Sequence, residues 1–269
     1  MESPSTRPLA VVTGASSGIG LELARQFASN GFDVIAAAED DAIATAAREI
    51  AGDSGATVEP VQVDLATGDG VEELHRRIAA TGRPVDAIAL NAGIGAGGAF
   101  ATDTDLEQEL ALVDLNCRCT VHLAKLVVRD MVARDSGRML FTSSIASTMP
   151  GSFQAVYNAS KSFVQSFALA LRSELKDTGV TVTALMPGPT DTEFFERADM
   201  LDTKIGAGEK DDPADVARDG FEALMAGEER VVSHSAMTKA QARAGRFLPD
   251  SVKAEMHRRM AEPGSAEKS

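Results

Sequence analysis

The sequence predicts an α/β protein, a single doubly wound parallel sheet with helices on both faces. Strand-like and helix-like segments alternate from Leu9 to about Val232 without a linker-like interruption, the order a parallel sheet requires. Val85 to Leu90 is a short apolar run interrupted only by Asp86, as in strands buried on both faces. A glycine-rich turn, Thr13-Gly-Ala-Ser-Ser-Gly-Ile-Gly20, joins the first strand to the first helix. Sheets of this kind bind ligands beyond the carboxyl ends of their strands.

The elements follow in order. Leu9 to Thr13, rich in small and β-branched residues, is the first strand. Gly18 to Asn30 is a helix, with Leu21, Ala24 and Ala28 at helical spacing and Gly31 closing its end. The second strand is Asp33 to Ala37, and a helix starting near Asp41 leads to a third strand, Thr57 to Val63. Val71 to Ala80 is helical, and Val85 to Leu90 is the fourth strand. Leu106 to Arg134 reads as one long helix, Arg138 to Thr142 as a strand, Ala155 to Asp177 as a second long helix. Thr181 to Met186 is the sixth strand; Pro213 to Met225 and Arg230 to Val232 supply a last helix and strand. Lys239 to Met260 looks helical and locally basic, a solvated or subunit-covering helix. Residues 1–8 are therefore expected as a flexible N-terminus and 9–234 as the catalytic domain. Residues 235–262 form a helical extension, and 263–269 a flexible tail.

Composition narrows the function. Of 269 residues, 26 are Lys or Arg and 40 Asp or Glu, a net charge of −14. A nucleic-acid partner is not expected, because neutralising phosphates needs a surplus of cations. No apolar run approaches the roughly 18 residues of a membrane span, so no membrane partner is expected and a cytoplasmic setting is the default. The two cysteines, Cys117 and Cys119, sit in a helical pattern, where side chains two apart point about 200° from each other. They share neither a metal nor a disulfide readily. His75, His122, His234 and His257 are scattered, so no metal site is expected.

The chemistry-bearing residues stand at strand ends. In the turn from Thr13 to Gly20, Gly14 permits the tight bend, and Gly18 lets the backbone approach a pyrophosphate. Gly20 lets strand and helix pack closely, and the helix N-terminus offers amide donors and a positive dipole end. Alone, such a pattern also fits a plain strand-to-helix turn. Tyr157 and Lys161 lie four apart on a helix, so they return to within about 40° of one face. A phenol near pKa 10 is a poor acid-base catalyst at neutral pH, and an ammonium nearby is expected to lower it. Tyr157 is also the only tyrosine of the chain.

Together, the turn, Asn91-Ala-Gly93, Ser144 and Tyr157-x-x-x-Lys161 resemble the short-chain dehydrogenase/reductase family over nearly the whole chain. The resemblance implies a Rossmann fold and an enzyme interconverting an alcohol and a carbonyl by hydride transfer with NAD or NADP. Its substrate would be a small alcohol or carbonyl compound. The implied catalytic set is Asn116, Ser144, Tyr157 and Lys161. Tyr157 exchanges the proton, and Ser144, rather than Ser143, polarises the carbonyl oxygen. Lys161 tunes Tyr157 and grips the nicotinamide ribose, and Asn116 kinks its helix and supports a proton relay. The implied cofactor contacts are Gly14, Ser16, Ser17, Gly18, Ile19 and Gly20 in the turn, Glu39 after the second strand, and Asp64 and Leu65 after the third. Asn91, Ala92 and Gly93 follow the fourth strand, and Tyr157 and Lys161 also contact the nicotinamide half. Pro187, Gly188, Thr190 and Thr192 follow the sixth strand and hold the carboxamide and pyrophosphate. For Asp64 a helix-capping role fits as well, and for Asn91 and Gly93 a plain turn.

Ala38 and Glu39 offer neither the arginine of NADP users nor the aspartate of NAD users. The carboxylate of Glu39 favours NAD. Substrate choice falls to the loop after Gly93, the loop Ile145 to Gln154, and Glu193 to Lys210, where Phe194, Phe195, Met200, Leu201 and Ile205 would form an apolar mouth. A second apolar face on the long helices, with Phe163 and Phe167 on one side and Val164 and Leu171 on another, implies a homodimer or homotetramer. Two other functions stay open: a dinucleotide-sensing protein without catalysis, and an epimerase, dehydratase or double-bond reductase of the same fold. Enoyl reductases of the family carry a wider Tyr–Lys spacing, which counts against that last branch.

Overall fold

The computed structural model describes residues 7–232 and 248–267. Seven parallel strands form one sheet in the order β3-β2-β1-β4-β5-β6-β7. They are β1 Leu9–Thr13, β2 Asp33–Ala38, β3 Val58–Gln62, β4 Val85–Leu90, β5 Gly137–Thr142, β6 Val180–Met186 and β7 Arg230–Val232. The order reverses between β1 and β4, and the crevice at that switch point is where such sheets bind ligands.

Every residue of β1 and β2 is buried. β2 reads Asp-Val-Ile-Ala-Ala-Ala, a weak strand by propensity. It forms because both neighbours pair with it in register, Val11 beside Ile35 and Ala36 beside Pro60, and because alanines let helices approach from each side.

Helices α1 (Gly18–Ser29), α2 (Ala42–Ser54) and α9 (Pro213–Ala226) cover one face. Their core includes Phe27, Phe32 and Phe221, whose rings meet edge to face at 5.2 to 6.4 Å. Each buried phenylalanine contributes roughly 1.5–3 kcal/mol. The other face carries α3 (Gly68–Ala80), α4 (Leu106–Val113), α5 (Thr120–Ala133) and α6 (Ala155–Glu174), packed around Leu74, Leu123, Met139 and Val164. The long helix expected from Leu106 to Arg134 is interrupted by a π-helical segment, Asp114–Cys119. The mid-helix Asn116 lies inside it.

Two terminal expectations are corrected at residues 7–8 and 264–267; residues 1–6 and 268–269 lie outside the described residues. Arg7 and Pro8 are tied to the sheet, through Arg83 donating to the Arg7 carbonyl and the Asp33 amide donating to that of Pro8. Gly264 and Ser265 are also tied down: Ser265 is buried, and its Oγ accepts from the Lys204 amide at 3.0 Å. The Gly264 amide donates to Asp202 at 2.6 Å. These backbone bonds to the body of the protein were invisible to composition. Of the expected helix from Lys239 to Met260, residues 239–247 lie outside the described residues, Leu248 and Pro249 are not helical, and α10 spans Asp250–Ala261, because Pro249 stands at its N-cap. No helix among the described residues is long and apolar enough to cross a membrane.

Candidate active site

A cavity of about 680 Å³ opens at the carboxyl ends of β1, β2, β4, β5 and β6, within the range of small-molecule and cofactor sites. Its floor is the glycine turn. Gly14 and Gly18 have φ of +67° and +54°, a left-handed backbone that suits glycine. A methyl group at Gly20 would stand 1.9 Å from the Gly14 carbonyl oxygen, and one at Gly18 would meet Thr192 at 2.9 Å. Only hydrogen fits there. Ser17 precedes α1 without a side-chain cap, so the first helical amides remain available to an anion. A bare cradle at a helix N-terminus, at the switch point of the sheet, fits the pyrophosphate of a dinucleotide.

Three strand ends are braced together above the cradle. The Asn91 amide nitrogen Nδ2 donates to the Thr13 carbonyl at 3.1 Å, and its Oδ1 accepts from Thr142 Oγ1 at 3.0 Å. Thr13 Oγ1 accepts from the amides of Asn91 and Ala92, each at 3.0 Å. Gly93 follows under tight restraint, since an added methyl would lie 3.0 Å from Asn116 Oδ1 and 3.2 Å from Lys161 Nζ.

Ser143 and Ser144 diverge after β5. Ser143 Oγ donates to the Lys161 carbonyl at 2.9 Å and serves the packing of α6. Ser144 Oγ accepts from the Ala146 amide at 3.1 Å and donates to the Pro187 carbonyl at 3.4 Å, and its hydroxyl is near enough to the Tyr157 phenol to favour the phenolate. Asn158 Nδ2 reaches the carbonyls of Ala146 and Met149, both at 3.2 Å, and holds the loop between Ser144 and α6.

Tyr157 and Lys161 both face the cavity from α6, but their electrostatics differ from expectation. Burial pushes the Tyr157 phenol up to about 12, against which the Ser144 hydroxyl acts in the lowering direction. Burial also pulls the Lys161 ammonium down to about 8. Lys161 Nζ donates to the Thr142 carbonyl at 3.0 Å and stands 5.9 Å from the Tyr157 ring centroid. The expected lowering of the phenol by the ammonium is therefore overridden in the protein alone. Desolvation penalises either charge, and the ammonium is spent partly on Thr142.

A pH dependence of stability follows. Between about 8 and the usual 10.5, Lys161 is neutral when folded and protonated when unfolded. The unfolded chain then binds more protons, so stability rises with pH across that window. Tyr157 acts oppositely between about 10 and 12. Urea titrations should show wild-type stability rising relative to Lys161→Met from pH 8 to 10. A constant difference would contradict the burial of the ammonium.

Asn116, 1% exposed, is fully engaged. Its Oδ1 accepts from the Ile94 amide at 3.0 Å, and its Nδ2 donates to the Ile94 carbonyl at 2.9 Å and Ser160 Oγ at 3.0 Å. Its main-chain carbonyl accepts from Thr120 Oγ1 at 2.8 Å. The side chain thus locks the loop after Gly93 to α6.

Of the remaining expected contacts, Ser16, Ser17, Gly18, Ile19, Glu39, Leu65, Ala92, Pro187, Gly188, Thr190 and Thr192 line the cavity. Asp64 does not: it is exposed, and its Oδ1 accepts from the Ala66 amide at 2.8 Å. The helix-capping alternative is not seen either: Thr67 caps α3, its Oγ1 accepting from the Gly70 amide at 3.0 Å, while the Asp64 carboxylate closes its own turn. At the end of β2 the structure adds Asp40, whose Oδ2 accepts from Ser16 Oγ at 2.8 Å.

The mouth is formed by α7 (Phe194–Arg197), α8 (Lys204–Ala207) and α10. Phe194, Phe195 and Ile205 line it, and the Phe194 ring lies 5.1 Å from that of Tyr157. Met200 is instead fully buried beneath, and Leu201 is exposed away from the cavity lining. Met149, Gln154, His257 and Met260 complete the wall. The last two come from α10, about a hundred residues after Tyr157, and carry no motif that sequence reading could find.

A sequence profile described as short chain dehydrogenase matches residues 8–200. The chain belongs to the short-chain dehydrogenase family. An oxidoreductase of Staphylococcus saprophyticus is 34% identical over 218 residues, 81% of this chain and 91% of the relative. An NADP-dependent 3-hydroxy acid dehydrogenase of Salmonella typhi is 32% identical over 180 residues, 67% of this chain and 71% of the relative. Among solved structures, a short-chain dehydrogenase from Sphingobium yanoikuyae in complex with NADPH superposes with a TM-score of 0.79. It is 27% identical and covers 89% of this chain and 93% of its own. These similarities make the protein an enzyme of the oxidoreductase type with a Rossmann-like sheet.

Proposed function

We propose that the protein is an NAD(P)-dependent oxidoreductase that interconverts an alcohol and a carbonyl. The observation that supports this reading best is the convergence of Ser144, Tyr157 and Lys161 on one cavity that also contains the glycine cradle. A bound nicotinamide supplies or removes the hydride. The chain's own groups manage the oxygen. Ser144 donates a hydrogen bond to the carbonyl oxygen and stabilises the charge that develops on it. Tyr157 delivers the proton, which suits a phenol kept protonated by burial. Lys161 holds the ribose and supports reprotonation of Tyr157, while Asn116 fixes the loop that borders both. The test is oxidation of NADH or NADPH with a panel of ketones and diketones. Absence of turnover across such a panel would favour the cofactor-sensing alternative.

The cofactor is proposed to be NAD in preference to NADP. Glu39 and Asp40 both line the cavity beside Ser16. Among the described lining residues the Lys and Arg side chains are Lys161, Arg197 and Lys204, none of which belongs to the glycine turn or the end of β2. A carboxylate about 5 Å from a 2′-phosphate costs roughly 3 kcal/mol per unit charge at an effective dielectric near 20, and less after screening. Even about 1.4 kcal/mol is tenfold in affinity. Fluorescence titration should therefore give tighter binding of NADH than NADPH, although the Salmonella relative is named for NADP. Tighter NADPH binding would overturn the preference.

The enzyme is further proposed to be a homodimer or homotetramer built on α4, α5 and α6. Leu106, Leu110 and Val113 recur along one stripe of α4 and are exposed, as are Val121 on α5 and Phe163 on α6. Phe163 stacks on Phe167, which turns inward against Phe141. The two phenylalanines therefore do not share one outer face; Phe163 alone is presented. An apolar surface of this kind on a globular protein marks an interface. Light scattering at micromolar concentration should return a multiple of the chain mass, and a strictly monomeric mass would refute the assembly.

A further inference from the structure

His257 of α10 is 2% exposed and lines the cavity. Its ring is oriented by the substrate loop, with Nδ1 2.9 Å from the Ser152 carbonyl oxygen. A carbonyl only accepts, so Nδ1 carries the proton. The same loop is pinned to α10 by Ser152 Oγ donating to the Ala254 carbonyl at 3.0 Å and by Arg258 over the Phe153 ring at 5.8 Å. The imidazole is therefore held rigidly. Burial keeps it below its ordinary pKa, which favours the neutral ring. In that tautomer Nε2 is a bare acceptor. No described residue bonds to it, and it is not among the sealed, unpartnered polar atoms of the interior. The space that His257 lines is the cavity, whose wall also includes the apolar Met149, Phe195 and Met260.

We propose that His257 Nε2 is a specificity-determining acceptor for a hydroxyl group on the substrate, remote from the carbonyl that reacts. The inference rests on the oxidoreductase reading given above. An apolar substrate body would lie along the methionines and phenylalanines, and its hydroxyl would satisfy the His257 acceptor. A carboxylate or second carbonyl offers that lone pair no proton and is disfavoured there. A buried acceptor left unmatched is costly, so a substrate lacking the hydroxyl is discriminated against, by about tenfold for roughly 1.4 kcal/mol.

The test uses the cofactor-loaded enzyme and straight-chain methyl ketones with a terminal hydroxyl, stepped one carbon at a time, each paired with its deoxy parent. Binding is read by calorimetry and reduction by kcat/KM. At the matching length the hydroxylated member should be favoured about tenfold, and His257→Asn should bring that ratio near unity. Asparagine can keep the donor to Ser152 but removes Nε2. An imidazole ¹⁵N NMR measurement on the unaltered protein guards against a misfolded variant: Nε2 should move upfield with the hydroxylated ketone and not with its parent. Equal binding along the whole series, or an unmoved Nε2, overturns the assignment to His257. Discrimination in binding without reduction of any ketone upholds it and refutes the oxidoreductase reading instead.

Discussion

Tyr157→Phe should lower carbonyl reduction by about 10²–10⁴ while leaving the fold intact. The substitution removes one hydroxyl from a ring that packs at 5.1 Å against Phe194 and lies beneath Lys161. The phenyl ring retains those contacts, so the loss isolates the proton. The phenol's high pKa in the protein alone makes it a stable proton store at neutral pH. Ser144 keeps its bond to the Ala146 amide in the variant and still polarises the oxygen. That residual polarisation is why turnover should fall without vanishing. Steady-state kinetics, with thermal denaturation as the control on folding, decide the matter. Unchanged turnover would remove Tyr157 from the role of acid.

Gly20→Ala should abolish tight cofactor binding and destabilise the domain. The new methyl would stand 1.9 Å from the Gly14 carbonyl oxygen and 2.5 Å from Asn91 Nδ2. The first is backbone, and the second is a side-chain end held in place by its bonds to Thr13 and Thr142. Relief requires α1 to move away from β1, which also disturbs the brace from Asn91 to Thr13 and Thr142. Overpacking of this kind costs typically about 1–3 kcal/mol, and here it falls on the atoms that form the cradle. The observables are a lowered midpoint in urea and a loss of NADH binding by fluorescence. Gly31→Ala serves as the comparison, because nothing lies within 4 Å of an added methyl there and its only penalty is its φ of +89°. Equal loss of cofactor binding in the two variants would refute a specific role for the packing at Gly20.

Most of the scaffold was legible because its signals are local. β1, β4 and β7 span the residues expected of them, and β1 and β4, buried along nearly their whole length, are largely apolar for that reason. Tyr157 and Lys161 share the cavity because helical spacing alone puts them on one face. The resemblance implied a kink at Asn116, but not its form as a π-helical turn. It arises where Asn116 exchanges two hydrogen bonds with Ile94, a partner 22 residues away. Sequence registers an unusual residue at such a place without its geometry.

By itself the sequence determined the fold class, the position of the glycine cradle, and the chemistry available at Ser144, Tyr157 and Lys161. These depend on residue type and on spacings within a single element or turn. Tertiary structure alone decided the charge state of the tyrosine and lysine, because desolvation is set by the walls that surround them. It also left Asp64 outside the cavity lining and placed Asp40 within it, where Asp40 accepts from Ser16 Oγ. The substrate mouth was decided the same way. His257 and Met260 reach it only because α10 returns across the loop that carries Ser152, and no pattern within α10 records which surface it will cover.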